Sequence, residues 1–292
     1  MKIILFLDEI NTTNCLNLLV DLFTNNSFIG NSLKDNVYII AACNPYRLAL
    51  SKHEEIGYAK NKMHHIRNLI YTVNPLPLSL INYVFDFGHL REEEERKYIS
   101  SFVQSFLSNS FPENKNDLYD EISKIVCDAI YTCQKFIRDN TEVSSVSLRD
   151  IKRFKKFFEF FLDLISQRKE FVSIIEKNES SNGEEKEDTI NDKSKEKEKD
   201  MYLKVVNLSL YICYYLRIID RNERNKLSKT LEKNLGFDFL KYPKEIEDEN
   251  ANNMNLKRGI AKNRALLDNI LTLFVCLNAK IPVFICGKAG CS

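Results

Sequence analysis

The chain has 292 residues, 44% of them hydrophobic, and its 42 Lys+Arg nearly balance 41 Asp+Glu for a formal net charge of +1. That is enough apolar material for one or two packed domains, and so even a charge excludes a dedicated binder of nucleic acid or of acidic membranes. Six Pro and eight Gly leave little room for a sandwich or barrel built on many tight turns, so helix is expected to dominate.

The start, Met1-Lys2-Ile3-Ile4-Leu5-Phe6-Leu7-Asp8-Glu9, has a short apolar core ending in two acids and no small-residue cleavage site, which excludes a signal peptide. Ile3 to Leu7 and Val37 to Ala42 are continuous apolar runs of the kind buried on both faces of a parallel sheet. Between them Leu16, Leu19, Leu22 and Phe23 fall at helical spacing behind the polar opening Asn11-Thr12-Thr13. Strand, helix, strand implies an α/β core, and Leu69 to Val73 is a third expected strand, ended by Pro75 and Pro77. This core is assigned to residues 1–75.

Helical stripes then take over across 76–175. One runs through Tyr98, Ile99, Phe102, Val103, Phe106 and Leu107, and a second from Leu118 to Ile137. A third runs from Leu148 to Ile165, with Ser147 and Asp150 spaced as a capping box. The stretch 176–200, EKNESSNGEEKEDTINDKSKEKEKD, has Ile190 as its only large apolar residue and is expected to be a disordered charged insertion. Residues 201–255 read as a helical linker, with Tyr202 to Ile219 a buried helix. Residues 256–292 carry one more helix, Ala265 to Leu277, and a fresh strand, Ile281 to Cys286, before a glycine turn. The fold class is therefore α/β followed by all-α.

No apolar run is long enough to span a bilayer: Lys204, Asn207 and Ser209 break one, and Asp268, Lys280 and Pro282 another. The eight cysteines sit mostly inside apolar runs with no C-x-x-C spacing, which fits a reduced, cytosolic or nuclear compartment without a zinc module, the cytoplasm being the expected location. The four histidines show no metal-ligand spacing.

Chemistry is expected at the strand ends. In an open parallel sheet ligands bind at the carboxyl tips of the strands, and Ile4-Leu5-Phe6-Leu7-Asp8-Glu9 puts two carboxylates at one tip. An Asp there holds Mg²⁺, usually through water, and the adjacent Glu polarises a water beside a γ-phosphate. The plainer alternative is a strand-end acid that caps the next helix. Ala41-Ala42-Cys43-Asn44-Pro45 puts an amide at the tip of a second strand, where it both donates and accepts and so can orient that water; a simple Asn-Pro turn is the alternative.

Arg149 lies in the first turn of a capped helix, where the helix dipole disfavours a cation unless it faces an anion. Arg67, and more weakly Arg47, are candidates for an arginine finger, against which stands ordinary surface solvation. The end of the chain, Gly287-Lys288-Ala289-Gly290-Cys291-Ser292, follows a strand and looks like the front of a G-x-x-x-x-G-K-[ST] phosphate loop, with Ser292 where the second fixed Gly is usual.

In this order the motifs resemble an AAA+ ATPase: Asp8-Glu9 resembles the Walker B pair, Asn44 sensor 1 and Arg149 the sensor 2 arginine. Four segments sharpen the match: Leu7 to Thr13; Ala41 to Arg47; Pro75-Leu76-Pro77 with Asp86-Phe87-Gly88; and Val146 to Ile151. Together with Asn263 to Asn269 leading into Ile281 to Phe284 and Gly287 to Gly290, they resemble the mysterin family of dynein-like AAA+ ATPases and RING-type E3 ubiquitin ligases.

The resemblance implies part of a P-loop NTPase core, its helical lid, and the first strand of a second AAA+ module, as in a fragment running from one Walker B to the next Walker A. ATP and Mg²⁺ are the implied cofactors. Asp8 would hold the metal, Glu9, Asn44, Arg149 and Arg67 would serve hydrolysis, and Gly287, Gly290, Cys291 and Ser292 would begin a second nucleotide loop. Implied partners are other AAA+ modules of the same chain, and ubiquitin, an E2 or substrate proteins through other parts of the parent, with no nucleic acid. Enzymatic activity is expected of a parent protein rather than of this chain alone. Two other readings stay open: a segment of a dynein-like or midasin-like motor, and a non-enzymatic helical scaffold.

Overall fold

The structure is a computed structural model that describes residues 1–44, 73–88, 90–111, 116–141, 145–179, 187–253 and 261–284. It divides into two compact units, Met1–His89 and Leu90–Ser292. The whole is mostly helical with a small parallel sheet.

The first unit runs β1 (Ile3–Leu7), α1 (Leu16–Thr24), β2 (Ser27–Phe28), β3 (Asn31–Ser32), β4 (Val37–Ala41) and the short helix α2 (Leu78–Ile81). The two apolar runs pair in parallel, with Ile3 opposite Val37 and Leu7 opposite Ala41. β2 and β3 form a hairpin that the sequence reading does not contain, turned by Ile29 and Gly30 at φ 49° and 75°. Positive φ at both positions is what a two-residue turn needs to match strand twist.

Ile4, Phe6 and Ile40 are 67%, 59% and 52% exposed, although their composition suits burial on both faces. Parallel strands need cover on each side, and the described part of this unit supplies little of it. Of the expected strand Leu69 to Val73, only Val73 is described; it is buried but belongs to no strand.

The second unit is built of α3 (Glu92–Leu107), α4 (Asn116–Asn140), α5 (Leu148–Glu179), α6 (Glu187–Cys213), α7 (Arg221–Leu235), α8 (Lys241–Asn253) and α9 (Arg264–Asn278). The expected stripes form its core: Ile99, Val103 and Phe106 of α3 meet Ile122, Val126 and Ile130 of α4 and Phe154, Phe158 and Phe161 of α5, all buried. The Phe106 ring lies 6.2 Å from that of Phe154 and 5.6 Å from that of Phe158.

Helix ends follow local chemistry. Asp220 Oδ1 accepts from the Asn222 and Glu223 amides at 2.7 and 3.1 Å to start α7, and Gly236 ends it at φ 77°, where a side chain is penalised. α9 starts on Asn263, whose Oδ1 accepts from the Leu266 amide at 2.9 Å, and closes with Lys280 left-handed and the Ile281 amide donating back to the Cys276 carbonyl at 2.8 Å.

Two expectations meet different structure. Within 176–200, expected to be disordered, Glu187 to Asp200 form the first turns of α6. There Lys199 pairs with Glu121 at 2.6 Å, and Asp200 accepts from the Tyr242 hydroxyl at 2.6 Å, so a charged stretch gains helix from partners outside itself. The expected strand Ile281 to Cys286 is described only to Phe284, and no strand among the described residues pairs with it.

A buried ionic cluster ties α9 to the bundle. Arg264 contacts Glu247 Oε2 at 2.6 Å and Asp268 Oδ1 at 3.1 Å, and Arg224 contacts Asp268 Oδ2 at 2.7 Å. The Tyr211 hydroxyl donates to Glu247 Oε1 at 2.7 Å and accepts from Arg264 Nη2 at 2.7 Å. Burial pushes the Glu247 carboxyl above its ordinary value of 4.5, although Arg264 and Tyr211 pull the other way.

Two stability predictions come from this unit. Phe158→Ala, which empties a fully buried site, is expected to cost about 3–5 kcal/mol in urea or thermal unfolding. A carboxyl whose folded-state pKa is raised binds its proton more tightly in the folded chain, so its contribution is full below the unfolded value and is lost as pH rises through the folded one. The stability difference between wild type and Glu247→Gln should therefore fall as pH climbs from about 4.5 and level off above the folded pKa, as read from denaturation midpoints across pH.

Candidate functional site at the strand tips

β1 and β4 end side by side. The Ala42 amide donates to the Leu7 carbonyl at 2.8 Å, and the Ile10 amide to the Ala42 carbonyl at 3.0 Å, so the ladder continues just past both strands. Asp8 and Glu9 therefore leave β1 next to the segment that carries Asn44. Both carboxylates are exposed and neither makes an ion pair among the described residues. No cluster of three or more His, Cys, Asp or Glu able to hold a metal occurs among the described residues, so a divalent ion here would take Asp8 together with oxygens from water and phosphate. An exposed, unpaired carboxylate oxygen is a donor of the right hardness for Mg²⁺.

Glu9 adopts the left-handed conformation, φ 50° and ψ 43°. For a non-glycine residue this costs on the order of 1–2 kcal/mol and persists only when its surroundings fix it. Here the Glu9 carbonyl accepts from the Thr12 amide at 3.0 Å and the Thr12 hydroxyl at 2.8 Å, which turns the chain out of β1 into a short 3₁₀ turn, Ile10–Thr12.

Asn11, on that turn, is the residue that sequence reading did not single out. It is 2% exposed, and its side-chain amide makes a two-point contact with the backbone of Asn44: Nδ2 donates to the Asn44 carbonyl at 2.8 Å and Oδ1 accepts from the Asn44 amide at 3.2 Å. Asn74 supports it from behind. The Asn74 amide donates to the Asn11 carbonyl at 2.7 Å, and its Nδ2 to the Thr13 carbonyl at 3.0 Å and to Asn14 Oδ1 at 3.3 Å. A signal existed, since Asn74-Pro75 repeats the Asn44-Pro45 dipeptide.

Beside the tips lies an apolar cleft of about 740 Å³, walled by Phe6, Ile10, Ile40, Leu80 and Phe85 among others. In Asp86-Phe87-Gly88 the Gly88 amide donates to Asp86 Oδ1 at 2.8 Å while Phe87 is 99% exposed.

Arg149 belongs to the second unit. Half of the capping box expected of Ser147 and Asp150 is present: the Ser147 amide donates to Asp150 Oδ2 at 2.8 Å, while Ser147 Oγ accepts from the Arg149 amide at 3.2 Å rather than from that of Asp150. Asp150 is buried and also binds Arg153 at 2.9 Å and Arg217 at 2.7 Å, so those two cations are engaged. Arg149 itself is exposed and has no ion pair among the described residues. Arg67 and Arg47 lie outside the described residues, as do Gly287, Gly290, Cys291 and Ser292. No helix among the described residues is long and apolar enough to cross a membrane.

Comparison with known proteins bears on the whole chain. A family model described as "RNF213 AAA domain" matches residues 259–292. The chain is 29% identical to the E3 ubiquitin-protein ligase RNF213 of Homo sapiens over 99% of its own length, and equally similar to that of Mus musculus. It is 28% identical to the E3 ubiquitin-protein ligase rnf213-beta of Danio rerio, again over 99% of the chain. In each case it spans 6% of the relative's length. The chain is thus similar to RNF213 (mysterin) along nearly its whole length, and residues 259–292 match that protein's AAA domain model.

Proposed function

We propose that this chain contributes the hydrolytic edge of an AAA+ ATP site. The observation that carries the reading is the pair of parallel strand tips, with Asp8 and Glu9 on one and Asn44 on the other, locked together by Asn11. Asp8 would hold Mg²⁺ through its water shell, and that ion would offset charge on the phosphate oxygens. Glu9, exposed just beyond the tip, would accept the proton of the attacking water. The Asn44 amide both donates and accepts, which suits it to align that water with the γ-phosphate.

Arg149, an exposed cation at a helix start with no ion pair among the described residues, would read the γ-phosphate from the helical lid, and lid movement would carry the result of hydrolysis onward. Arg67 would serve as an arginine finger, and Gly287, Gly290, Cys291 and Ser292 would open the phosphate loop of a following module, led in by α9. The domain scheme proposed with this reading keeps residues 1–75 as core, 76–175 as lid, 201–255 as linker and 256–292 as the start of the next module. The relatives' name, E3 ubiquitin-protein ligase, supports extending the proposal to a parent protein that couples ATP turnover to ubiquitin transfer, in the cytoplasm, with ubiquitin, an E2 and substrate proteins as partners.

Two substitutions in the full-length protein test it. Glu9→Gln should leave ATP binding near wild type and lower turnover by at least about 100-fold, the scale expected when a general base is lost; unchanged turnover would remove Glu9 from the mechanism. Arg149→Ala, at an exposed residue with no ion pair among the described residues, should leave unfolding within about 0.5 kcal/mol of wild type. A fall in turnover without a fall in stability would mark the arginine as functional, and unchanged turnover would return it to the solvated surface.

A further inference from the structure

We propose that Asn11 is a positioning residue for hydrolysis, which acts by fixing the backbone of Asn44, with Asn74 holding Asn11 in place. The inference rests on the hydrolysis reading above and adds to it a residue outside the Walker B and sensor positions.

Asn11 spends its side chain on one neighbour. Asn11 is 2% exposed, the most buried polar residue of the first unit among the described residues, and both ends of its carboxamide bind the backbone of Asn44, at 2.8 Å and 3.2 Å. A primary amide placed across a peptide backbone in this way fixes two things at once, the separation of the two strand tips and the rotation of the Asn44 backbone about the chain direction. The second sets where the Asn44 side chain leaves the backbone. Asn11 lies only two residues beyond Glu9, on the turn that Thr12 pins to the Glu9 carbonyl, so the base and the water-aligning amide share one rigid frame.

Asn74 completes the frame from a third segment. Its backbone amide donates to the Asn11 carbonyl at 2.7 Å and its side-chain Nδ2 to the Thr13 carbonyl at 3.0 Å, so the turn is held by a second set of contacts besides those to Asn44. These contacts join residues 33 and about 60 positions apart, a reach that local turn chemistry does not need for its own satisfaction. Catalysis does need it, because a displacement of about 1 Å at an aligning group costs on the order of 100-fold in rate.

The test is a set of variants in the full-length protein: Asn11→Ala, Asn44→Ala, the double variant, and Glu9→Gln as a control, each measured for ATP turnover and for binding of a fluorescent ATP analogue. Asn11→Ala should bind the analogue with near wild-type affinity and lower kcat roughly 10- to 100-fold per binding site. If Asn11 works through Asn44, the double variant is no slower than Asn44→Ala alone, since the group being positioned is already gone. Multiplying rate losses in the double variant, or a wild-type kcat per binding site in Asn11→Ala, would overturn the proposal.

Should Asn11→Ala fail to fold, Asn11→Asp keeps the size and the acceptor for the Asn44 amide while setting an oxygen against the Asn44 carbonyl. It is expected to lower kcat with binding retained, and a wild-type kcat would again overturn the proposal. Glu9→Gln separates the two levels. If it stops turnover while Asn11→Ala does not, positioning fails and hydrolysis stands; if it leaves turnover intact, both fall.

Discussion

Two hydrogen bonds, one donated and one accepted by a single buried amide, hold the strand tips of this protein together, and the hydrolytic geometry proposed for them rests on these contacts. A parallel pair of strands has no hairpin to set its ends; the connection runs through α1 and the β2–β3 hairpin, and the ladder alone leaves the residues past the last pair free to diverge. Asn11 removes that freedom where Asp8, Glu9 and Asn44 emerge. The left-handed Glu9 follows from the same requirement, since the chain must turn sharply out of β1 to bring Asn11 back across β4. The conformational cost at Glu9 is offset by the Thr12 and Asn11 contacts around it.

The helical unit answers to a different constraint, the burial of charge. Asp150 sits under two arginines and a helix cap, Glu95 under Arg138, and Glu247 and Asp268 under Arg264 and Arg224. Each carboxylate is paired and hydrogen-bonded, as interior charges must be. Such pairs add little net stability against apolar replacements, yet removing one partner strands a charge, so they fix which helices meet. The cluster around Glu247 joins α6, α7, α8 and α9, and α9 is the helix that leads toward the glycine-containing end of the chain. By contrast, Arg149 is exposed and has no ion pair among the described residues, beside a carboxylate that already holds two other arginines.

Much of this was legible in the sequence. Helical stripes such as Ile99, Val103 and Phe106 named the core because burial imposes a 3.6-residue period, and the runs Ile3 to Leu7 and Val37 to Ala42 named the parallel pair. The place of the acids and of Asn44 at the strand tips was readable because the apolar runs that precede them mark the two strands. Asn11 and Asn74 were not, since polar loop residues carry no period and their partners lie far along the chain. The helix from Glu187 was missed because composition registers charge and not the partners, Glu121 and Tyr242, that other helices supply. The exposure of Ile4 and Phe6 has the same origin: sequence reports that a side chain suits burial, while the cover must come from elsewhere.

The central claim is that the tips of β1 and β4 face the γ-phosphate of a bound nucleotide. The most direct measurement is a cryo-electron microscopy structure of the full-length protein with Mg²⁺ and a slowly hydrolysed ATP analogue. The terminal phosphate is expected at these tips, with Asp8 in the water shell of the metal, Asn44 within hydrogen-bond reach of the phosphate or its attacking water, and the Asn11 contacts to the Asn44 backbone intact. Nucleotide bound elsewhere, with Asp8, Glu9 and Asn44 facing no phosphate, would contradict it.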